Sequence, residues 1–228
     1  EDLLNLKLFS CSNNSLTALN LTNDTSLTYL NFQFNTITQI DLTNKIYLDT
    51  LICVNDKLVQ LDVTRNTKLK YLDFSQTGLT TIDLTKCVEL TELYGCNNKL
   101  NGLDLSKNVV LETLSCYSNA IPALDLTNNV KLKTLDCSHN LLTSLNLDKN
   151  TELTKANCNN NMISLLELSK ATALVELGAM SNKLTVLDLS NNLALVSVDA
   201  DYNNLTSVNV TKNLLLKGLY VYGNQLTT

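Results

Sequence analysis

Cysteine is the residue in this sequence whose spacing most suggests chemistry. Five of the seven cysteines are separated by multiples of 21 residues, and these are Cys11, Cys53, Cys116, Cys137 and Cys158. Seven cysteines would suggest disulfides in an exported protein. At the same spacing, however, other parts of the chain carry the apolar residues Phe32, Phe74, Ala179, Ala200 and Val221. Neighbouring parallel strands lie ~4.7–4.9 Å apart, farther than the ~3.8 Å between the Cβ atoms of a disulfide. We therefore expect these thiols to be reduced, buried and engaged in packing.

The other two cysteines depart from that spacing. At the 21-residue spacing of the five cysteines, Gly95 stands in place of the buried residue. We therefore expect its neighbour Cys96 to face outward and to react first with a thiol reagent. Cys87 lies at a place in the 21-residue spacing where most repeats carry asparagine. The sequence does not predict the environment of this side chain. No C-x-x-C pair occurs, which argues against a metal or redox role for the cysteines.

Acidic residues also recur every 21 residues. The acidic members of this column are Asp41, Asp62, Asp83, Asp104, Asp125, Glu167 and Asp188. Carboxylates stacked one strand apart could bind a cation such as Ca²⁺. Hydroxyl side chains two residues later and Lys or Arg three residues later offer local partners, as in the series Asp62, Thr64 and Arg65. We expect turn hydrogen bonds and partial charge balance there, and no requirement for calcium or another metal.

The composition offers little for catalysis. The chain of 228 residues has 1 His, 1 Pro, 6 Gly and no Trp. No motif pairs the single histidine, His139, with a Ser or Cys nucleophile, so we expect an exposed surface residue. The sequence therefore predicts a protein that is not an enzyme and needs no cofactor.

Charge and hydropathy limit the kinds of partner. A hydrophobic fraction of 44% with 17% charged residues supports a folded core, and no long uncharged apolar run is present, so we expect no membrane insertion. The formal net charge is −5. Nucleic acids and anionic membranes both need a basic face, so we expect neither as a partner.

An internal repeat organises all these residues. Leucine recurs every 21 residues from Leu6 to Leu216 without insertion or deletion. Counting that leucine as position 1, the pattern is L-x-x-L-x-C-x-x-N-x-L-x-x-L-D-L-x-x-N-x-x, and residues 111–131 match it almost completely. We interpret residues 1–228 as one solenoid of ten full repeats and a partial eleventh, with residues 1–5 as the remnant of a preceding turn or cap. Neither end has a polar capping repeat, so we expect a fragment of a longer protein or an end-to-end contact.

The apolar positions 1, 4, 6, 11, 14 and 16 fit neither a helix nor a long strand. Positions 4 to 6 and 14 to 16 each place two inward residues around one outward residue, which predicts short strands. The predicted fold is mostly β: a right-handed solenoid with a parallel β-sheet on the concave face and a second short ladder opposite. We expect Asn at position 9 to bond backbone groups of adjacent turns, with Asp56 and Thr77 interrupting this ladder.

Tyrosine is concentrated on the predicted outer face of the sheet. Seven of the eight tyrosines occupy outward positions 3, 5, 7 or 8, and these are Tyr29, Tyr71, Tyr94, Tyr117, Tyr202, Tyr220 and Tyr222. The candidate ligand-binding residues are these seven with Phe34, Ile52, Val54, Asp136, Asn157, Asn159 and Met180. Exposed Tyr among polar residues is typical of recognition surfaces, although Tyr also favours strands in general.

The repeat in residues 111–131 resembles the bacterial leucine-rich repeats of 21 residues. The same half-repeat resembles the leucine-rich regions of listerial internalins, some of which carry a cysteine ladder, and surface proteins of Bacteroidetes-type bacteria. This resemblance implies a leucine-rich-repeat solenoid that is secreted or at the cell surface and serves adhesion. It also implies a protein ligand, from a host or a cell surface, on the concave sheet. A carbohydrate-binding surface and a structural spacer are the alternatives.

Overall fold

A computed structural model describes residues 5–227 of the chain. These residues contain thirteen strands of three residues each and no helix, so no described helix could cross a membrane. The strands are β1 (Leu8–Ser10), β2 (Tyr29–Asn31), β3 (Thr50–Ile52), β4 (Tyr71–Asp73), β5 (Glu92–Tyr94), β6 (Thr113–Ser115), β7 (Thr134–Asp136), β8 (Ser144–Asn146), β9 (Lys155–Asn157), β10 (Leu165–Glu167), β11 (Glu176–Gly178), β12 (Ser197–Asp199) and β13 (Gly218–Tyr220).

Eleven of these strands form one parallel sheet with one strand from each repeat. The order is β1-β2-β3-β4-β5-β6-β7-β9-β11-β12-β13, so each turn pairs with the next turn along the chain. Leu72 lies opposite Leu93, and Leu93 lies opposite Leu114, as the constant spacing of 21 predicts. The mostly β solenoid with a parallel sheet is therefore confirmed. Each strand covers positions 3 to 5 rather than 4 to 6, although backbone bonds between turns continue at positions 6 and 8, as in Cys116 N to Asp136 O.

The core consists of columns of apolar side chains from equivalent positions. The position 4 residues Leu30, Leu51 and Leu72 are fully buried, and the position 1 leucines Leu27 and Leu48 are also fully buried. One turn cannot cover its own apolar side chains, so the fold depends on contact between neighbouring turns.

The sheet side of each turn ends at a residue in the left-handed backbone conformation. Position 8 has positive φ in all eleven described repeats, and only one of these residues, Gly223, is glycine; Phe34, His139 and Tyr202 have φ of 53–58°. Asparagine at position 9 then stabilises the turn. The Asn140 side chain donates from Nδ2 to the carbonyls of Cys116 and Cys137 and accepts from the Ile121 N–H at Oδ1. The predicted asparagine ladder is confirmed.

The ladder is interrupted at the two predicted places. Asp56 keeps the acceptor half, since its Oδ1 accepts from the Ile37 N–H at 3.0 Å, but its buried Oδ2 has no hydrogen-bond partner. Thr77 keeps a donor, since its hydroxyl bonds the Phe74 carbonyl at 2.8 Å. Each residue thus supplies only part of what the asparagine amide supplies.

A second asparagine ladder runs along position 19. The Asn129 side chain donates to the carbonyls of Leu105 and Asn108. Cys87 occupies this position in its own repeat, is fully buried and places its Sγ 3.7 Å from the Val63 carbonyl. The Cys87 thiol thus acts as a weak hydrogen-bond donor where other repeats use an asparagine amide. Burial raises the pKa of Cys87 to about 12.

The expected ladder opposite the main sheet forms only in part. Among residues 5–227, β8 pairs with β10, and a single further bridge joins Asp188 to Asn209. In both places an amide faces a carboxylate at position 15, and Asn146 donates to Glu167 at 2.7 Å. Most earlier turns place aspartates next to each other, and like charges directly opposite destabilise strand pairing.

Candidate binding face

The outer surface of the eleven-stranded sheet is the candidate functional site. In most strands the middle residue is buried while the residues before and after it are partly exposed, as in β4 and β6. We call the surface formed by the side chains at positions 3, 5, 7 and 8 the sheet face. All fourteen candidate residues from the sequence lie at these positions.

The exposure of the candidate residues differs along the sheet. The three tyrosines nearest the C-terminus, Tyr202, Tyr220 and Tyr222, are 54%, 56% and 71% exposed. Tyr29, Tyr71, Tyr94, Tyr117, Ile52, Asp136, Asn157, Asn159 and Met180 are partly exposed, and Phe34 is exposed. Val54 is buried, so its side chain offers little surface to a ligand.

The first aromatic group combines two tyrosines with two carboxylates. The rings of Tyr71 and Tyr94 are tilted to each other, and their centroids are 5.4 Å apart. The Tyr94 hydroxyl donates to Glu92 Oε2 at 2.9 Å, and Asp73 Oδ1 accepts from the Ser75 N–H at 3.0 Å. We call Tyr71, Asp73, Glu92 and Tyr94 the aromatic-acidic cluster. Burial raises the pKa of Asp73, while burial and then the bond to Glu92 raise the pKa of Tyr94.

The second aromatic group lies near the C-terminal end of the sheet. The Tyr202 and Tyr222 rings meet edge to face with centroids 5.3 Å apart. A Cβ atom on Gly223 would lie 2.7 Å from the Tyr202 ring, so this glycine leaves the space that the ring occupies. Asp201 accepts from the Tyr222 N–H at 2.6 Å, which ties the two turns together.

A polar network separates the two aromatic groups. Asp136 Oδ2 accepts from Asn157 Nδ2 at 3.1 Å, and Asn159 Oδ1 accepts from the Met180 N–H at 2.7 Å. A Cβ atom on Gly178 would lie 3.0 Å from the Oδ1 atoms of both asparagines, so glycine makes room for their amides. The structure thus brings Asp136, Asn157, Asn159 and Met180 together on adjacent turns. The role of Gly178 was not evident from the sequence, because only the fold places it between those amides.

The expectation for Cys96 is wrong. Its side chain is directed outward from the core as predicted, but only 5% of the residue is exposed. The reason is its neighbours, because its N–H bonds Ser75 Oγ and its Sγ lies 3.1 Å from Ser115 Oγ on the next turn. Gly95 does replace the inward residue, and the Phe74 ring fills that space, since a Cβ atom there would lie 2.5 Å from Phe74 Cζ.

The remaining cysteines agree with a packing role. All seven are free, and six of them are buried, with Cys11 partly exposed. Burial raises the pKa of Cys116, Cys137 and Cys158, to about 12 for Cys158. A thiol with a raised pKa forms little thiolate at neutral pH, so these side chains are poor nucleophiles and poor metal ligands.

The acidic column at position 15 lies on the side of the solenoid away from the sheet face. We call this side the opposite edge. Its aspartates accept from the N–H of position 17, as in Asp62 with Thr64 and Asp125 with Thr127, both at 2.9 Å. The Thr64 hydroxyl and N–H lower the pKa of Asp62, and the Thr127 N–H and hydroxyl lower the pKa of Asp125. The predicted turn bonding is confirmed. No three of His, Cys, Asp and Glu among residues 5–227 are placed to hold a metal ion.

Open grooves between successive turns also lie on the opposite edge. One has a volume of about 320 Å³ and is lined by Gln60, Asp62, Thr81 and Asp83, among other residues. Asp62 and Asp83 are already bonded to the hydroxyl groups of their own turns. His139 lies on the sheet face, exposed as predicted, and its Nε2 is 3.3 Å from the Asn160 amide.

Comparison with known structures identifies the class of this fold. The chain is a leucine-rich-repeat solenoid of the kind found in bacterial internalins. Neither a protein-family model nor a curated protein matches the sequence. The chain is similar to the functional domain of InlJ from Listeria monocytogenes, which includes a cysteine ladder. The two share 34% identity with a TM-score of 0.93, over 97% of this chain and 49% of that one.

Two other bacterial structures share the fold. Internalin InlF from Listeria monocytogenes is 24% identical with a TM-score of 0.92, over 97% of this chain and 68% of that chain. YopM, a leucine-rich effector protein from Yersinia pestis, is 24% identical with a TM-score of 0.78, over 97% of this chain and 62% of that chain. The chain spans about half the length of the InlJ structure.

Proposed function

We propose that the protein is a non-enzymatic recognition module that binds a protein partner through the sheet face. The observation that carries this proposal is the placement of seven of the eight tyrosines on one face, four of them in two pairs whose ring centroids are 5.4 Å and 5.3 Å apart. Aromatic side chains that are anchored and partly exposed supply contact area at a low cost in conformational entropy. The similarity to leucine-rich-repeat proteins supports an interaction module in general.

We further propose that the protein acts outside the cell or at its surface, in adhesion. The resemblance to internalins supports this setting. A carbohydrate ligand is the second candidate, because the sheet face carries both tyrosines and the polar side chains of Asp136, Asn157 and Asn159, as sugar-binding surfaces do. A spacer without a ligand is the third.

The test uses the chain as a probe on protein arrays and glycan arrays. Each partner that binds saturably is then measured with the double variant Tyr94→Ala with Tyr117→Ala. Loss of an aromatic anchor often costs 2 kcal/mol or more, which corresponds to about a 30-fold weaker affinity. We expect that loss for a protein partner, with the circular dichroism spectrum and unfolding midpoint nearly unchanged, because both rings lie outside the core.

The other outcomes decide between the candidates. Saturable binding to glycans alone would favour the carbohydrate surface. No binding on either array would favour the spacer. A partner that binds the double variant as tightly as the wild type would show that the sheet face is not the recognition surface.

A further inference from the structure

The net charge of the protein is concentrated on the sheet face. Within residues 5–227 this face carries one lysine, Lys155, and six acidic residues, which are Asp73, Glu92, Asp136, Glu176, Asp199 and Asp201. The formal charge of the face is therefore −5, the same as that of the whole chain. The rest of the chain holds 16 of the 17 basic residues and 16 of the 22 acidic residues, so it is neutral overall.

Most of these carboxylates have no cationic partner. Of the four ion pairs among the described residues, only the pair of Lys155 with Glu176, at 2.7 Å, lies on the sheet face. Asp73 and Glu92 accept hydrogen bonds from neutral donors. Lys70 precedes this cluster in the chain, but it lies near Glu89, whose pKa it helps to lower. The aromatic-acidic cluster therefore holds two negative charges without a counterion.

The cluster is suited to a cation on two further grounds. Asp73 is partly buried, and a carboxylate that has lost part of its hydration gains when a cationic donor approaches it. The faces of the Tyr71 and Tyr94 rings also attract cations, and the attraction strengthens when water is excluded. A guanidinium group can donate to a carboxylate and stack on a tyrosine ring at the same time.

We propose that the aromatic-acidic cluster of Tyr71, Asp73, Glu92 and Tyr94 receives an arginine or lysine side chain of the partner, whose contact surface is basic. This inference rests on the proposed function and deepens it by naming the partner's chemistry. The second aromatic group has the same composition, since Asp199 and Asp201 lie on the same turn as Tyr202 and next to that of Tyr222. The partner carries a second basic group for that end of the sheet.

The experiment selects ligands without knowing the partner. Random peptides displayed on phage are selected on the immobilised wild-type chain, and the affinities of synthetic copies are measured by fluorescence anisotropy. We expect the selected peptides to be enriched in Arg and Lys. Replacing the key arginine by citrulline, its neutral isostere, or the key lysine by glutamine weakens binding at least about tenfold, the loss of one charge-assisted contact.

A matched pair of variants separates the cluster from general charge attraction. Asp73→Asn with Glu92→Gln removes two charges from the cluster and is expected to weaken peptide binding at least about tenfold. Asp83→Asn with Asp104→Asn removes the same charge from the opposite edge, retains a side-chain acceptor for each turn, and is expected to change the affinity less than about twofold. Unfolding midpoints of both variants confirm that the fold is retained.

Each other outcome overturns the proposal. Selected peptides without basic enrichment, an equal affinity of the neutral peptide, equal losses in both variant pairs, or no selected peptide at all would each contradict it. Failure of the broader proposal is recognised separately. If neutral peptides bind and Tyr94→Ala with Tyr117→Ala abolishes that binding, the sheet face still serves recognition but its partner is not cationic. If the tyrosine variant binds every selected peptide normally, the recognition face itself is wrong.

Discussion

The sheet face and the opposite edge both carry carboxylates, but the two surroundings differ. On the opposite edge each aspartate at position 15 accepts bonds from its own turn, and those bonds lower its pKa, as for Asp83 and Asp125. On the sheet face Asp73 also accepts bonds from the N–H and the side chain of Ser75, but it is partly buried, and burial raises its pKa. The two sides therefore share the turn bond and differ in their surroundings: burial raises the pKa of Asp73, whereas nearby cations help to lower the pKa of Asp62 and Asp83.

Asp56 gives the sharpest test of how surroundings decide the role of an aspartate. It lies in the position 9 ladder, where other repeats use the asparagine amide as a donor, and its pKa is raised by burial to about 6. The group is ordinarily half-protonated near pH 3.8. Because the folded state holds the proton more tightly, the associated stability is fully present below about pH 4 and is lost as the pH rises through 6. The loss is on the order of 2–3 kcal/mol.

We therefore expect Asp56→Asn to stabilise the protein at neutral pH, by the largest amount of any variant considered. Urea unfolding at several values between pH 4 and 7 measures the effect. The difference in unfolding free energy between the variant and the wild type should grow across that interval, since asparagine supplies the donor at every pH. If the unfolding free energies of the two proteins change in parallel between pH 4 and 7, the pKa of Asp56 is not raised in the folded protein.

A smaller effect is expected on the opposite edge. Asp104→Ala with Asp125→Ala removes two turn acceptors, so the thermal unfolding midpoint should fall by a small amount, while binding to any sheet-face partner stays unchanged. Asp104→Asn with Asp125→Asn keeps the acceptors and should restore the midpoint. Because the bonds lower the carboxyl pKa values, the contribution is present above about pH 4 and is lost as the pH falls below that value. A loss of binding in the alanine variant would show that the partner binds the opposite edge and not the sheet face.

The smallest expected effect is that of calcium. The Asp62 and Asp83 carboxylates are already bonded to Thr64 and Thr85 within their own turns. The thermal midpoint should therefore be the same in EDTA and in millimolar Ca²⁺. A substantial calcium-dependent rise would mean that the column binds cations and that the contrast between the two sides is incorrect.

The repeat made most of the architecture predictable from the sequence. A constant spacing of 21 fixes the register of the sheet, and the apolar positions fix which side chains are buried, because every turn must cover its neighbour. The asparagine ladder and its interruptions at Asp56 and Thr77 were predictable for the same reason, since they depend on position in the repeat. Turn bonding by the position 15 aspartates followed from the hydroxyl residue two places later.

Features that depend on the contents of the neighbouring turn were not predictable. Cys96 and Val54 occupy outward positions, yet both are buried. For Cys96 the cause is the serines on the turns either side, Ser75 and Ser115. Among the described residues, the second ladder forms only between β8 and β10 and between Asp188 and Asn209, although Asp125 and Asn146 present the same pair of side chains without a bridge. The aromatic-acidic cluster likewise arises from two adjacent turns, and only the structure shows that its carboxylates lack cations.

Tyrosine labelling with a partner bound measures whether the sheet face is the recognition surface. Tyr47, at the last position of its repeat, lies outside the sheet face and is 60% exposed, so it serves as an internal control. Tyrosine-selective reagent is applied to the free protein and to its complex with a partner from the arrays, and modification is quantified for each residue by mass spectrometry. We expect the complex to protect Tyr71, Tyr94 and Tyr117 while Tyr47 is modified as in the free protein. Protection of Tyr47 with unchanged labelling of the sheet-face tyrosines would contradict that expectation.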